Sequence, residues 1–207
     1  MVMYKQITAI FISLVLLLGL SPAMAIAEKG PDQLMEETTE EMLQALRINK
    51  KLLDKEPNRI YGLVNEIVIP RFDFVRISAW VLGKHWRRAT PQQRGQFVQQ
   101  FQDMMVNTYA TALLEFSDQK MKYLPVRMKE GDRIVMARSQ ILQTGKQPVA
   151  LDYRMFHGKK GWKVFDIMVD GVSLVANYRT SFDTEIRQTS MDALIKRLTE
   201  HNAKKKG

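Results

Sequence analysis

Two carboxylates and a hydroxyl, Asp166, Asp170 and Ser173, lie in one short stretch, GWKVFDIMVDGVS over 161–173. They are the chain's candidates for acid–base or nucleophilic chemistry. Their spacing argues against it. Four residues apart on an extended chain, the two acids share a face but stand about 13 Å apart at ~3.3 Å per residue, too far to share a proton. Gly171-Val172-Ser173 lacks the second glycine of a nucleophile elbow. Asp170 before Gly171 reads as a turn residue and Ser173 as a helix N-cap. Asp166, set among apolar neighbours, needs a partner, for which Arg154 or Lys163 would serve. His85, His157 and His201 are scattered with no i, i+4 pair, and the chain has no cysteine. Thiol chemistry, a disulfide and a cysteine metal site are therefore excluded, and a histidine site lacks the needed clustering. No Walker pattern occurs. The expectation is a protein that is not an enzyme and that needs no cofactor or metal. The basic pairs Arg87-Arg88 and Lys159-Lys160 read as solvated loops unless both flank one cavity mouth, where they would meet phosphate.

The elements around these residues carry more information. Trp162, Val164, Phe165, Ile167, Met168 and Val169 leave almost no polar position, as in a strand covered on both faces. Beyond the turn, Val172, Leu174, Val175, Tyr178 and Phe182 follow helical spacing, predicting a helix from Ser173 to about Gln188. Upstream, helices are predicted over 32–54, from Pro57 to Pro70, over 71–83 and from Pro91 to Phe116. The third has so little polar surface that it should be buried all round. The fourth opens with a capping box, Thr90-Pro91-Gln92-Gln93. Period-two runs then predict four strands, at about 121–128, 133–143, 148–156 and 162–169, joined by Gly-containing turns into an antiparallel meander. A last amphipathic helix starts at Ser190. Helices, then an antiparallel sheet, then helices describe an α+β domain.

Lys5, the apolar run Ile7 to Leu20 and Ala23-Met24-Ala25 have the form of a cleaved signal peptide over 1–25, with cleavage after Ala27 as second choice. The run is short of the ~20 residues that span a bilayer. The remaining 26–207 is expected to form a single exported domain. The net charge of +9 becomes +8 once Lys5 is removed. In an envelope compartment that balance favours anionic headgroups or an acidic protein over nucleic acid.

Three pieces, in order, resemble the MlaC family of periplasmic phospholipid-binding proteins. They are Pro70-Arg71-Phe72-Asp73-Phe74 with Val81-Leu82-Gly83 and Trp86; Ala89-Thr90-Pro91-Gln92-Gln93-Arg94 with Phe97, Phe101 and Thr108-Tyr109-Ala110; and Gly161 to Asp166 with Gly171 to Leu174 and Tyr178-Arg179. The resemblance implies an NTF2-like curled sheet with added helices enclosing an apolar pocket for the acyl chains of a glycerophospholipid. It further implies two docking partners: an inner-membrane ABC transporter with an MCE-type subunit, and an outer-membrane lipoprotein–porin complex. The direction usually assigned is retrograde, which maintains outer-membrane lipid asymmetry. The chain is expected to act as a monomer. Exposing the ~30 methylenes of two acyl chains in water would cost on the order of 25 kcal/mol, so a carrier must enclose them almost completely.

Alternation and apolarity select the expected lipid-binding residues: Val149, Leu151, Tyr153, Phe165, Ile167 and Val169 on the sheet, Val172 and Val175 at the junction, and Phe74, Leu82, Tyr109 and Leu113 from helices. An aspartate at 151 or 172 is expected to abolish carriage. The ten methionines after residue 25 suit a pocket that accepts varied tails. Two rival readings are an NTF2-like enzyme for a small apolar substrate, relying on Asp166, Tyr109 or Tyr153, and a periplasmic adaptor that binds protein alone.

Overall fold

A computed structural model describes residues 29–115, 119–143 and 145–206. The expected signal segment and Phe116 lie outside these residues. No helix among the described residues is long and apolar enough to cross a membrane.

Helix α1 (Pro31–Ile48) has Pro31 in its first turn, Asp32 at its positive end and Arg47 at its negative end, and buries Met35, Thr38, Met42, Leu43 and Leu46. The helix predicted over 32–54 is in fact broken at Asn49, whose backbone and side-chain N–H groups both turn back to the Ala45 carbonyl at 3.0 and 2.8 Å. A short α2 (Lys50–Lys55) follows. The stretch from Pro57 to Arg71 is likewise not one helix. It runs through a 3-10 turn, α3 (Ile60–Leu63), a π turn over Val64–Val68 and a second 3-10 turn over Ile69–Arg71. Pro70 has no N–H for the Glu66 carbonyl, which accounts for the change of helix type here.

Phe72 leaves the helical path and pairs in parallel with Val164 as an isolated bridge. Helix α4 (Phe74–Leu82) therefore starts three residues later than expected, capped by Asp73, which accepts from the Arg76 N–H at 2.9 Å. Nor is it buried all round, since Val75 and Trp80 are 58% and 40% exposed. Helix α5 (Lys84–Arg88) leads to α6 (Pro91–Tyr109), where the capping box forms as predicted. The Gln93 N–H donates to Thr90 Oγ1 at 3.1 Å and the Thr90 N–H to Gln93 Oε1 at 3.0 Å. The continuous helix ends at Tyr109, and α7 (Ala112–Glu115) is a separate turn.

Five strands, β1 (Lys120–Leu124), β2 (Ile134–Leu142), β3 (Val149–Gly158), β4 (Gly161–Val169) and β5 (Val172–Ser173), form an antiparallel meander in sequence order. The fifth, which alternation does not reveal, is two residues long. It is created by the Asp170-Gly171 hairpin, both of whose residues adopt positive φ (48° and 81°), as a two-residue I′ turn requires. In β4, Asp166 pairs with Arg154 but Val164 with Met155, so Phe165 is the extra residue of a bulge. The bulge explains how Val164, Phe165 and Asp166 are all buried in succession, at 0, 1 and 3% exposure. Helices α8 (Leu174–Gln188) and α9 (Met191–Lys206) close the α+β fold. Asn107 Nδ2 donates to Asn202 Oδ1 at 3.2 Å, and Asn202 Nδ2 to the Gln100 carbonyl at 2.9 Å, pinning α9 to α6.

The apolar interior falls into three groups. Phe74, Phe97, Phe101, Phe165, Phe182 and Leu194 belong to a solid core among α4, α6, α8, α9 and β4. A second group joins α1, the Ile60–Val68 segment and the end of α6 through Leu46, Ile60, Val64, Ile67 and Val106. A third, with Met35 of α1 and Val135, Met155, Trp162 and Val164 of the sheet, packs α1 against one sheet face. The last two do not meet completely.

Candidate functional site

Between those two groups lies a cavity of about 380 Å³, within the range of small-molecule sites. One wall is the sheet, from Met121 of β1 through Ile141, Val149, Leu151 and Tyr153 to Ile167 and Val169 of β4. Antiparallel register brings them together, since Ile141 faces Val149, Leu151 faces Val169 and Tyr153 faces Ile167. The opposite wall is helical: Met35, Thr38, Thr39, Met42, Leu43 and Leu46 of α1, with Val64, Val68 and Ile69. Phe72, Phe74, Met105, Val106, Tyr109, Leu113 and Leu174 complete it.

Of the twelve expected residues, the structure brings Phe74, Tyr109, Leu113, Val149, Leu151, Tyr153, Ile167 and Val169 to this cavity. The other four lie away from it. Leu82, Phe165 and Val175 pack in the solid core, Phe165 because the bulge turns it to the helical side of the sheet. Val172 is 53% exposed, since the two-residue turn swings it out to the sheet edge. The α1 wall was missed, because an amphipathic helix around a cavity has the same periodicity as one around a solid core. The four lining methionines, Met35, Met42, Met105 and Met121, are the one compositional hint.

Polar side chains in the lining are largely neutralised from within. Thr38 Oγ1 donates to the Leu34 carbonyl at 2.6 Å and Thr39 Oγ1 to the Met35 carbonyl at 2.8 Å, leaving their methyl groups to the cavity. Tyr153 hydrogen-bonds Ser139, and burial pushes its phenol well above the usual tyrosine range. Tyr109 Oη lies 3.2 Å from Tyr178 Oη, and burial, with that contact, raises the Tyr178 phenol as well. Neither phenol is poised to give up a proton near neutrality. The cavity is an apolar container, and the chemistry it suits is enclosure.

The acids on which a reactive site would depend are engaged elsewhere. Asp166 accepts from Ser173 Oγ at 2.7 Å and from the Val175 N–H at 3.2 Å, with Arg154 Nη1 at 4.0 Å. It borders a separate, water-sized void of about 30 Å³. Arg154 is thus its partner; Lys163 instead donates to the Pro70 carbonyl. Asp170 Oδ1 accepts from the Ala150 N–H at 2.9 Å and ties the hairpin to β3. Ser173 Oγ also accepts from the Ala176 N–H at 3.0 Å, as an N-cap should. His85 Nε2 contacts Asp183 at 2.8 Å, and no group of His, Cys, Asp or Glu among the described residues could hold a metal. Arg87, Arg88, Lys159 and Lys160 are exposed and none lines the cavity.

The family model described as MlaC protein matches residues 36–200. The chain belongs to the MlaC family. Among MlaC relatives, it is 28% identical over 181 residues to toluene tolerance protein ttg2D of Pseudomonas putida, covering 86% of this chain and 83% of that one. It is 25% identical over 179 residues to the intermembrane phospholipid transport system binding protein MlaC of Haemophilus influenzae, covering 85% and 84%. A solved structure of a phospholipid-binding protein from Ralstonia solanacearum, in complex with a phospholipid, superposes with a TM-score of 0.78 at 30% identity. That match covers 86% of this MlaC chain and all of the other.

Proposed function

We propose that this MlaC-family chain is a periplasmic phospholipid-binding transport protein that carries glycerophospholipid between the outer and inner membranes. The observation that carries this reading is the apolar cavity of about 380 Å³ between α1 and the sheet, in a fold shared with a protein solved around a phospholipid. Acyl chains move between two apolar surroundings, membrane and cavity, so transfer is close to balanced and needs no covalent step. Phe74, Tyr109, Leu113, Val149, Leu151, Tyr153, Ile167 and Val169 contact the tails; Leu82, Phe165, Val172 and Val175 do not.

The family resemblance extends the proposal. Residues 1–25 are a cleaved signal peptide and 26–207 a single lipid-binding domain, working as a monomer in the periplasm. Its partners are an inner-membrane ABC transporter with an MCE-type subunit and an outer-membrane lipoprotein–porin complex. Transport runs retrograde, preserving outer-membrane lipid asymmetry, without enzymatic activity and with phospholipid as cargo, not cofactor. A transfer assay tests the core of this. The purified chain should speed movement of labelled phospholipid from donor to acceptor vesicles in proportion to its concentration, and a rate equal to the protein-free control would refute carriage.

A further inference from the structure

Among the described residues lining the cavity, one is charged, Arg71. The lining hydroxyls of Thr38, Thr39, Tyr109 and Tyr153 all have partners within the protein, whereas Arg71 Nε is buried and has no hydrogen-bond partner. The Glu41 carboxylate stands 3.8 Å from Arg71 Nη2, too far for a hydrogen bond. A buried guanidinium N–H left unmatched is costly unless something arrives to accept it. With 38% of its side chain exposed, Arg71 straddles the wall between cavity and solvent. Its backbone is held on both sides: the Phe72 N–H donates to the Ile69 carbonyl at 3.0 Å, and the Asp73 N–H to the Val164 carbonyl at 2.9 Å. Lys163 adds a second cation nearby. Its ammonium donates to the Pro70 carbonyl, and its pKa is lowered by burial first and then by the positive charges of Arg71 and Lys160.

Resting on the carrier reading, we infer that Arg71 anchors the phosphate of the cargo lipid at the cavity wall, with the acyl chains running inward from it. A phosphodiester offers an anionic acceptor of the geometry that a planar guanidinium fork recognises. Glu41, 3.8 Å from the same guanidinium, competes for it through charge. A free phosphate ion presents the same chemistry, so the test must separate the two.

The test is uptake by the purified chain from vesicles doped with acyl-labelled phosphatidylglycerol or with diacylglycerol bearing the same chains. The wild type should prefer the phospholipid by at least about tenfold, as expected for a charged hydrogen bond. Arg71→Leu should bring that preference within about twofold by lowering phospholipid uptake, and Arg71→Lys should fall between. Glu41→Gln, at an exposed position, should strengthen the preference, so the inference stays testable even if the Arg71 variants fail to fold. A preference that survives Arg71→Leu, or is absent from the wild type, overturns the anchor and leaves the carrier standing. Competition by millimolar inorganic phosphate alone would identify a free-anion site and overturn the lipid assignment. If the wild type takes up neither diacyl lipid, the carrier reading falls and this inference falls with it.

Discussion

A buried carboxylate is either a reactive group or a strut, and the groups facing Asp166 decide which. Its oxygens accept from Ser173 Oγ and the Val175 N–H, with Arg154 beside them, so the charge ties β4 to the start of α8. Asp166→Ala would orphan these donors, and the expected cost is about 2–4 kcal/mol in denaturant unfolding. A loss under about 0.5 kcal/mol would contradict the structural role. Asp183 behaves differently, at the surface. Hydrogen bonds from Lys84 and His85, with the charge of Arg187 nearby, hold its carboxyl down at about 2. A carboxylate normally titrates near 3.9 when unfolded, so its contribution is complete above that value and is lost as the pH falls toward 2. Asp183→Asn should therefore lower the thermal midpoint at pH 7 and lower it much less at pH 2. An equal difference at both pH values would contradict this. The sequence shows that Asp166 needs a partner but not which one, because the choice between Arg154 and Lys163 depends on strand register. Arg71 was visible only as part of a motif, since an orphaned N–H is a property of packing.

At the scale of elements, local chemistry was the most legible. The Thr90 capping box forms as the sequence predicts, and Thr90→Ala should cost about 1 kcal/mol in thermal or denaturant unfolding; no change would show that the box is redundant. Three of the four expected strands fall close to their bounds because glycine turns punctuate them, whereas β1 stops at Leu124, before Pro125 and four residues short of 128. The helices are less faithful. Asn49 and Pro70 break runs whose apolar periodicity continues unaltered, and the β4 bulge redirects Phe165 without any mark in the alternation. These differences alter one functional expectation. Leu151 lines the cavity on β3, so Leu151→Asp should lower bound phospholipid by about tenfold or more, through a charge placed against acyl chains. Val172, turned outward by the Asp170-Gly171 hairpin, should tolerate aspartate with lipid content unchanged. Equal losses in both variants, measured by lipid extraction from folded protein, would contradict the cavity's placement.

For the whole molecule, the division between solid core and cavity is what residue types alone could not supply. Both are lined by Leu, Val, Met and aromatic side chains; the difference lies in whether opposing layers meet. Around α4, α6, α8 and α9 they do, with Phe97, Phe101, Tyr178 and Phe182 in successive ring contacts of 5.3–5.8 Å. Between α1 and the sheet they do not, and the gap is coated almost wholly in hydrocarbon. An acyl chain laid against that lining gains packing contacts along its length. Mass spectrometry of an organic extract from the purified protein addresses that claim most directly. Phospholipid in stoichiometric amount is expected with the wild type. Protein that is folded, free of lipid and unable to take up a phospholipid from vesicles would contradict it.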